Sequence, residues 1–499
     1  MSTSAIIPMA NASLRRGAVT LTAASMLDFG LQLLLPVALV RLLPASAFAD
    51  YRLAWLAIGT AMAVAPLALP RSLFYFLPRT AAAQRPAYVH NTVLLMLASG
   101  ALAALLLGPW NPWLPSSLRH SSGGAWFLPG FLLLWVAASL ADFLPSARGE
   151  PGRQAVVIVV LACLRVGAVG LAALSGRVDV VFAVLLAYAA FKLALVLAWV
   201  WRYYRSPLLP LQCAALRTQL AYALPFGLGS ALFLLRGQAD QWVAASLFSA
   251  AAFAAFSIGA VIMPLVALVR TSIANAISAR LSSLESQSDR PAMLRLNQRA
   301  NLGVAFVLLP TLALTAVLAE HIVTLVYTPV FLAAADVMRI NCLALLGVSV
   351  EVSTLTMVLN QGRFLLAADA LLLPIGIAAA ALGAILWGLP GAALGNTITL
   401  AAGNAFSFWR VARVTGVPLR RLQCWTALLR ILAAAACAAV PALLCERAAV
   451  LRTPLAELLL VAIVYALAYL LMLRVLGLLP QARELLGSGG SAILQPARE

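Results

Sequence analysis

Apolar runs of about twenty residues recur from one end of the chain to the other and are separated by short polar segments. A run of this length crosses roughly 30 Å of hydrocarbon as an α-helix. Helices are favoured because backbone groups in lipid must be hydrogen-bonded within the segment, whereas barrel strands would alternate apolar and polar positions. The pattern predicts an all-α membrane protein of about fourteen spans, at residues 17–40, 53–70, 89–108, 125–144, 155–174, 180–201, 219–246, 248–269, 302–319, 337–359, 364–386, 389–409, 425–445 and 455–473.

The composition excludes several classes of protein. Of the 499 residues, 63% are hydrophobic and 10% are charged, which leaves too little polar surface for a soluble protein of this size. The six cysteines form no CxxC pair and the three histidines lie far apart, so neither disulfides nor a metal site is indicated. No GxxxxGK[ST] loop is present, so we expect no nucleotide cofactor and no direct use of ATP.

The distribution of positive charge predicts the topology. The net charge is +18, but the basic residues are scattered singly between apolar runs and are not grouped with aromatics, so nucleic-acid binding is not indicated. If both termini are cytoplasmic, 23 of the 34 Lys and Arg residues fall in cytoplasmic segments, 6 on the opposite side and 5 within spans. This excess follows the positive-inside rule and also suits an anionic lipid surface.

The chain is predicted to consist of two related lobes and a C-terminal helix pair. The longest polar insertion, residues 270–301, lies near the middle and is expected to be a cytoplasmic connector. Residues 43–51 can be laid over residues 248–256 through a shared Phe-Ala-x-aromatic ending, although an alanine-rich chain can give such a match by chance. The predicted division is 1–205 for spans 1 to 6, 206–415 for spans 7 to 12, and 416–499 for the helix pair and tail.

Three stretches of the chain carry a family resemblance. The first ends in Phe48-Ala49-Asp50-Tyr51, the second runs from Leu224-Pro225-Phe226 to Phe253-Ala-Ala-Phe256, and the third runs from Val326-Tyr327 through Asn360-Gln361-Gly362-Arg363 to residues 388–395. In this order they resemble the polysaccharide-exporter branch of the multidrug/oligosaccharidyl-lipid/polysaccharide (MOP) flippase superfamily, with Asp50 and Ala255 at positions where glycine is usual. The resemblance implies two six-helix lobes around a central cavity, a further helix pair, and alternating access to the two membrane faces.

The same resemblance implies a function. The expected substrate is an oligosaccharide linked to a lipid of the undecaprenyl-diphosphate type, flipped from the cytoplasmic to the periplasmic leaflet of a bacterial inner membrane for cell-surface or exopolysaccharide assembly. Polymerase or export proteins are possible partners, and the chain itself is not expected to be an enzyme. Two alternatives remain: a cation-coupled multidrug exporter of the same superfamily, and a membrane glycan polymerase or ligase, which usually has a larger external loop than this chain contains.

Ionisable residues within the spans are the candidate substrate-binding residues, because such side chains are costly in lipid and usually face a cavity or a partner. Arg236 and Asp240 lie four residues apart on one helical face, where they can form an ion pair. The pair is either purely structural or part of a diphosphate site, in which Arg236 presents its planar fork of donors to phosphate oxygens while Asp240 holds it in place.

The remaining candidates lie on other spans. Arg165 and Lys192 are expected either to form a cationic cavity wall or to pair with Asp142. Asp28, with Gln32 one turn later, and Glu351 are candidates for binding a coupling ion. For both carboxylates the alternative is a hydrogen bond that fixes helix packing.

Small residues predict one close helix contact. Gly391 and Gly395 have the small-xxx-small spacing that lets two helix backbones approach each other. Proline also interrupts several spans and marks candidate hinges, at Pro36, Pro66, Pro225, Pro264, Pro310 and Pro374.

Overall fold

The computed structural model describes residues 6–112, 114, 124–204, 212–350, 352–448 and 453–487, and in these ranges the chain is α-helical without strands. The predicted all-α fold is confirmed. The helices are α1 (Ile6–Leu42), α2 (Ala45–Val64), α3 (Leu69–Arg79), α4 (Arg85–Leu106), α5 (Gly124–Ala138), α6 (Leu144–Ala147), α7 (Pro151–Ala173), α8 (Val178–Tyr204), α9 (Cys213–Leu247), α10 (Ala250–Gly259), α11 (Ile262–Ser286), α12 (Arg290–Val317), α13 (Ala319–Ile322), α14 (Ala334–Val348), α15 (Ser353–Val358), α16 (Gly362–Ala392), α17 (Leu394–Thr415), α18 (Leu419–Leu422), α19 (Trp425–Ala448), α20 (Pro454–Val475) and α21 (Leu479–Gly487).

Each predicted span corresponds to one helix or, for spans 248–269 and 337–359, to two consecutive helices. In the part of the chain that the structure describes, 11 helical stretches are long and apolar enough to cross a membrane. The other three predicted spans correspond to α5, α14 and α17, which are shorter or more polar. The protein is therefore a multi-pass membrane protein of about fourteen transmembrane helices.

The chain divides into two compact units. The first takes Met1–Leu235 with Ser249–Ala251, and the second takes Arg236–Phe248 with Ala252–Glu499. In the first unit, α5 packs among α2, α4 and α8. The rings of Phe127 on α5 and Phe182 on α8 stack with centroids 4.2 Å apart, and both side chains are buried. The three-part division at residues 205 and 415 remains a prediction.

In the second unit, the two C-terminal helices pack onto α12. The hydroxyl of Tyr469 on α20 donates to the carbonyl of Phe306 on α12 at 3.4 Å, and that of Tyr465 donates to Ala435 on α19 at 3.3 Å. Both tyrosines belong to an apolar core that also contains Ile431 and Leu309. Hydrogen bonding of each buried hydroxyl avoids the cost of an unpaired polar group in an apolar environment.

Gly391 and Gly395, the two glycines with small-xxx-small spacing, lie where α16 and α17 approach each other closely, as predicted. Gly388 has φ +66°, a backbone conformation that residues with a side chain rarely adopt. It produces a kink near the C-terminal end of α16, just before α17 begins. A Cβ atom on Gly395 would lie 2.6 Å from the carbonyl oxygen of Gly376, so only glycine permits this approach. Backbone contact of this kind replaces the hydrophobic driving force that is missing between helices in lipid.

A second close approach, in the first unit, fixes α9 against the bend between α2 and α3. Leu67 and Ala68 at this bend both have positive φ. A Cβ atom on Gly227 of α9 would lie 2.8 Å from the carbonyl carbon of Leu67. Because no side chain separates the two backbones here, the neighbouring residues of α3 and α9 are brought side by side.

Candidate functional site

A buried ion pair links two helices of the second unit at Arg236. Its side chain is 7% exposed, and its Nε lies 2.9 Å from Oδ1 of Asp369 on α16. Its Nη1 donates to the backbone carbonyl of Thr399 on α17 at 3.1 Å. Arg236 thus joins the second-unit part of α9 to both α16 and α17.

The sequence predicted an acidic partner for Arg236 one turn away on the same helix, and the structure shows a close partner on another helix, Asp369. Asp240 is 3% exposed, and its Oδ1 accepts the backbone N–H of Gln241 at 2.9 Å. Spacing along a helix indicates which residues share a face, but it cannot indicate that α16 brings Asp369 to the same place. The assignment of Arg236 and Asp240 to substrate binding remains a prediction.

Asp28 forms the centre of a polar cluster in the first unit. Its Oδ1 lies 3.1 Å from Nη2 of Arg165 on α7, and its Oδ2 accepts from Nε2 of Gln32 at 2.7 Å. The one-turn relation of Asp28 and Gln32 therefore exists as the sequence indicates. However, Asp28 is not a lone carboxylate, because a 9% exposed arginine already neutralises it. A coupling cation at Asp28 has to compete with Arg165.

Lys192 on α8 also has an acidic partner. Its Nζ lies 2.8 Å from Oδ2 of Asp142, and 4.6 Å from the ring centroid of Trp135. The lysine side chain is 5% exposed, whereas that of Asp142 is 41% exposed. The attraction of the carboxylate and of the ring face offsets the cost of burying the ammonium group. Of the two alternatives drawn from the sequence, the pairing of Lys192 with Asp142 is the one observed.

Glu351, the second candidate for a coupling ion, lies outside the described residues. The five described candidates are divided between the two compact units. Arg165, Lys192 and Asp28 belong to the first unit, and Arg236 and Asp240 to the second.

Sequence reasoning missed a polar cluster in the second unit. Nδ1 of His321 on α13 lies 3.2 Å from Glu446 on α19, and its Nε2 lies 3.5 Å from Glu457 on α20. The histidine thus connects both C-terminal helices to the rest of the unit. No sequence signal could have found it, because the three residues are far apart and have no recognisable spacing.

Comparisons with known proteins are consistent with this architecture. The family profile described as "Polysaccharide biosynthesis protein" matches residues 152–336. A search of curated proteins by sequence finds no significant match.

Several solved structures share the fold. The chain is similar to the lipid II flippase MurJ in an inward closed conformation, with a TM-score of 0.67 and 12% identity over 91% of this chain and 98% of the other. It is similar to an inward-facing MATE-family multidrug resistance transporter of the MOP superfamily, with a TM-score of 0.58 and 14% identity over 80% of this chain and 99% of the other. A mutant of the Vibrio cholerae MATE transporter VcmN gives a TM-score of 0.50 and 18% identity over 81% and 98% of the two chains.

Proposed function

From the premise that this chain has the fold of the MOP superfamily of flippases and exporters, we propose that it flips a lipid-diphosphate-linked oligosaccharide from the cytoplasmic to the periplasmic leaflet. The match of residues 152–336 to a polysaccharide biosynthesis family supports the glycan part of this substrate. The similarity over 91% of the chain to a flippase whose own substrate is a lipid supports the lipid part.

The buried Arg236 is the observation that carries the proposal for an anionic substrate. A guanidinium in a low-dielectric site needs an anionic partner, and here Asp369 and a backbone carbonyl supply the contacts. A diphosphate that reaches this position offers two parallel charge-assisted hydrogen bonds to the same fork of donors. Exchange of Asp369 for diphosphate would then couple substrate binding to the packing of α9 against α16. Asp240 supports Arg236 in this scheme, and Arg165 and Lys192, each beside an aspartate, are the further proposed substrate-binding residues.

Alternating access would expose this site first to one membrane face and then to the other, in a bacterial inner membrane with both termini in the cytoplasm. The energy would come from an ion gradient, from the membrane potential or from consumption of the product by a polymerase or export partner. Asp28 and Glu351 are the proposed coupling-ion residues. At Asp28 the competition between a cation and Arg165 gives a physical basis for coupling, because cation binding would break the ion pair that links α1 to α7.

The second candidate function is a cation-coupled multidrug exporter. It is favoured by the similarity to MATE transporters, which covers 80% of the chain at a TM-score of 0.58. A cavity for cationic drugs should be mainly acidic, whereas the embedded residues here are mixed and include the cations Arg165, Lys192 and Arg236. The buried cations therefore favour the flippase.

The deciding experiment deletes the gene and determines on which leaflet lipid-linked glycan accumulates. The flippase proposal predicts that repeat units are still made, stay on the cytoplasmic leaflet and yield no exported polymer. The exporter alternative predicts normal polymer and increased sensitivity to cationic drugs. Absence of the lipid-linked unit itself would point to a role in synthesis and would contradict both.

A further inference from the structure

An exposed aromatic surface lies on the first unit where α3 packs beside α9. The rings of Tyr75 on α3 and Tyr222 on α9 stack with centroids 4.5 Å apart. Tyr222 and Phe226 follow each other by one helical turn, and each is 50% exposed. Two guanidinium groups complete the surface: that of Arg79 lies 4.2 Å from the Tyr75 ring centroid, and that of Arg71 lies 5.7 Å from the Phe226 centroid.

The helix faces behind this surface are held in place by buried polar contacts. Nε2 of Gln219 on α9 donates to the hydroxyls of Ser72 on α3 at 2.9 Å and of Thr92 on α4 at 2.8 Å. These three side chains are no more than 1% exposed. One turn after Gln219, Tyr222 is therefore presented from a rigid base, and the contact of Gly227 with Leu67 fixes the next turn. A rigid platform loses little conformational entropy when a ligand binds.

The two arginines indicate that this face meets water and not lipid tails. Both have exposed side chains on the same side of α3, and a charged side chain facing hydrocarbon is costly. The positive-inside distribution assigns Arg71 and Arg79, which both lie on α3, to the cytoplasmic segment that follows the second predicted span. That is the membrane face from which a substrate made in the cytoplasm is loaded. Large aromatic rings that are exposed to water in a cluster mark a binding surface.

We propose that the surface formed by Arg71, Tyr75, Arg79, Tyr222 and Phe226 binds the sugar portion of the transported lipid-linked oligosaccharide, an inference that rests on the proposed function. The carbon-bound hydrogens on one side of a pyranose ring are polarised by the ring oxygens, and they pack on the negative face of an aromatic ring. Arg71 and Arg79 donate hydrogen bonds to sugar hydroxyls and attract acidic groups of the glycan. Glycan recognition is thereby separated from diphosphate binding at Arg236.

The test measures the affinity of the purified full-length protein in lipid nanodiscs for two probes. One probe is undecaprenyl diphosphate, and the other is the same lipid carrying the oligosaccharide made by the source cell. Tyr222→Ala should weaken binding of the glycan-bearing lipid about tenfold, because a stacking surface is lost, and should change binding of the sugar-free lipid less than about twofold. Tyr222→Phe should retain nearly full affinity for both.

Two further variants keep the test decisive. Arg79→Gln keeps every ring and should also weaken only the glycan-bearing probe, even if Tyr222→Ala does not fold. Trp201→Ala, which removes a 66% exposed ring from α8, should change neither affinity. Equal effects on both probes, or no effect, would mean that the aromatic surface is only a membrane-interface anchor and would overturn the inference. Failure of the unaltered protein to bind either lipid would instead contradict the proposed function.

Discussion

Nε of Arg236 lies 2.9 Å from Oδ1 of Asp369, and both side chains are buried, at 7% and 16% exposure. The pair connects α9 to α16, and the contact of Arg236 with Thr399 adds α17. A buried pair of this kind is expensive to break from one side only, because the remaining charge is left without its partner. This property allows a structural role and a substrate-binding role of Arg236 to be separated by mutation.

Arg236→Ala should abolish transport and lower thermal stability, since breaking a buried pair costs roughly 3–5 kcal/mol. Arg236→Lys should restore activity only in part, because the planar fork is lost. The double change Arg236→Ala with Asp369→Ala removes the unpaired charge and should recover most of the stability, but no transport. Polymer export by cells and thermal unfolding in detergent provide the two measurements. Recovery of export in the double variant would leave Arg236 with a purely structural role.

The pair of Lys192 with Asp142 tests whether burial increases the contribution of an ion pair to stability. Lys192→Gln should destabilise the protein by about 1–3 kcal/mol, less than for a fully buried pair because Asp142 is 41% exposed. The matched control is Arg177→Gln, which removes the exposed pair with Asp179 at 3.6 Å and should stay within about 0.5 kcal/mol. Denaturant or thermal unfolding of the two variants side by side provides the measurement. Equal losses of stability in Lys192→Gln and Arg177→Gln would show that burial does not strengthen the contribution of the Lys192 pair.

The periodic features of the chain could be predicted from sequence. Span length follows from the thickness of the hydrocarbon, and the spacing of Asp28 and Gln32 follows from the helical repeat, so both appear in the structure. α5, α14 and α17 are shorter or more polar than the other spanning helices. Their apolar runs are still visible in the sequence, and the alternation of charged loops supports the number of spans.

Partners across the fold could not be predicted. Arg236 pairs with Asp369, and Arg165 with Asp28, because helices far apart in sequence pack together. A single sequence does not indicate which helices pack together. The same holds for His321, which is placed between Glu446 and Glu457 by the packing of α13 against the C-terminal helices. Alternatives that the sequence left open, such as the pairing of Lys192, were decided only by these tertiary contacts.

The α16–α17 contact predicts opposite effects of two glycine substitutions. Gly395→Ala should destabilise the protein by about 1–3 kcal/mol, because the added methyl would overlap the Gly376 carbonyl oxygen and Ala380. Gly167→Ala on α7 is the control, since nothing lies within 4 Å of a Cβ atom there. It should stabilise its helix by about 0.5–1 kcal/mol through the better helix propensity of alanine. Thermal unfolding of both variants measures the difference, and a stabilised Gly395→Ala would contradict the close contact.

The predicted topology puts the connector between α11 and α12 in the cytoplasm and the turn before α20 in the periplasm. Ser288 and Thr453 are exposed residues in these two segments. Each can be replaced by cysteine in a variant whose six native cysteines have been removed. An impermeant maleimide, added to cells with a permeabilised outer membrane, should label Thr453→Cys at once.

Ser288→Cys should react with the same maleimide only after the inner membrane is broken, and the cysteine-free parent should never react. The physical reason is the charge on the connector: Arg280, Arg290, Arg295 and Arg299 lie within or beside it, and basic segments of this length are retained on the cytoplasmic side. An odd number of spans lies between Ser288 and Thr453 in the predicted topology, so the two sites must be on opposite faces. Labelling of both sites in intact cells, or of Ser288→Cys alone, would therefore overturn the topology and with it the cytoplasmic position of Arg71 and Arg79.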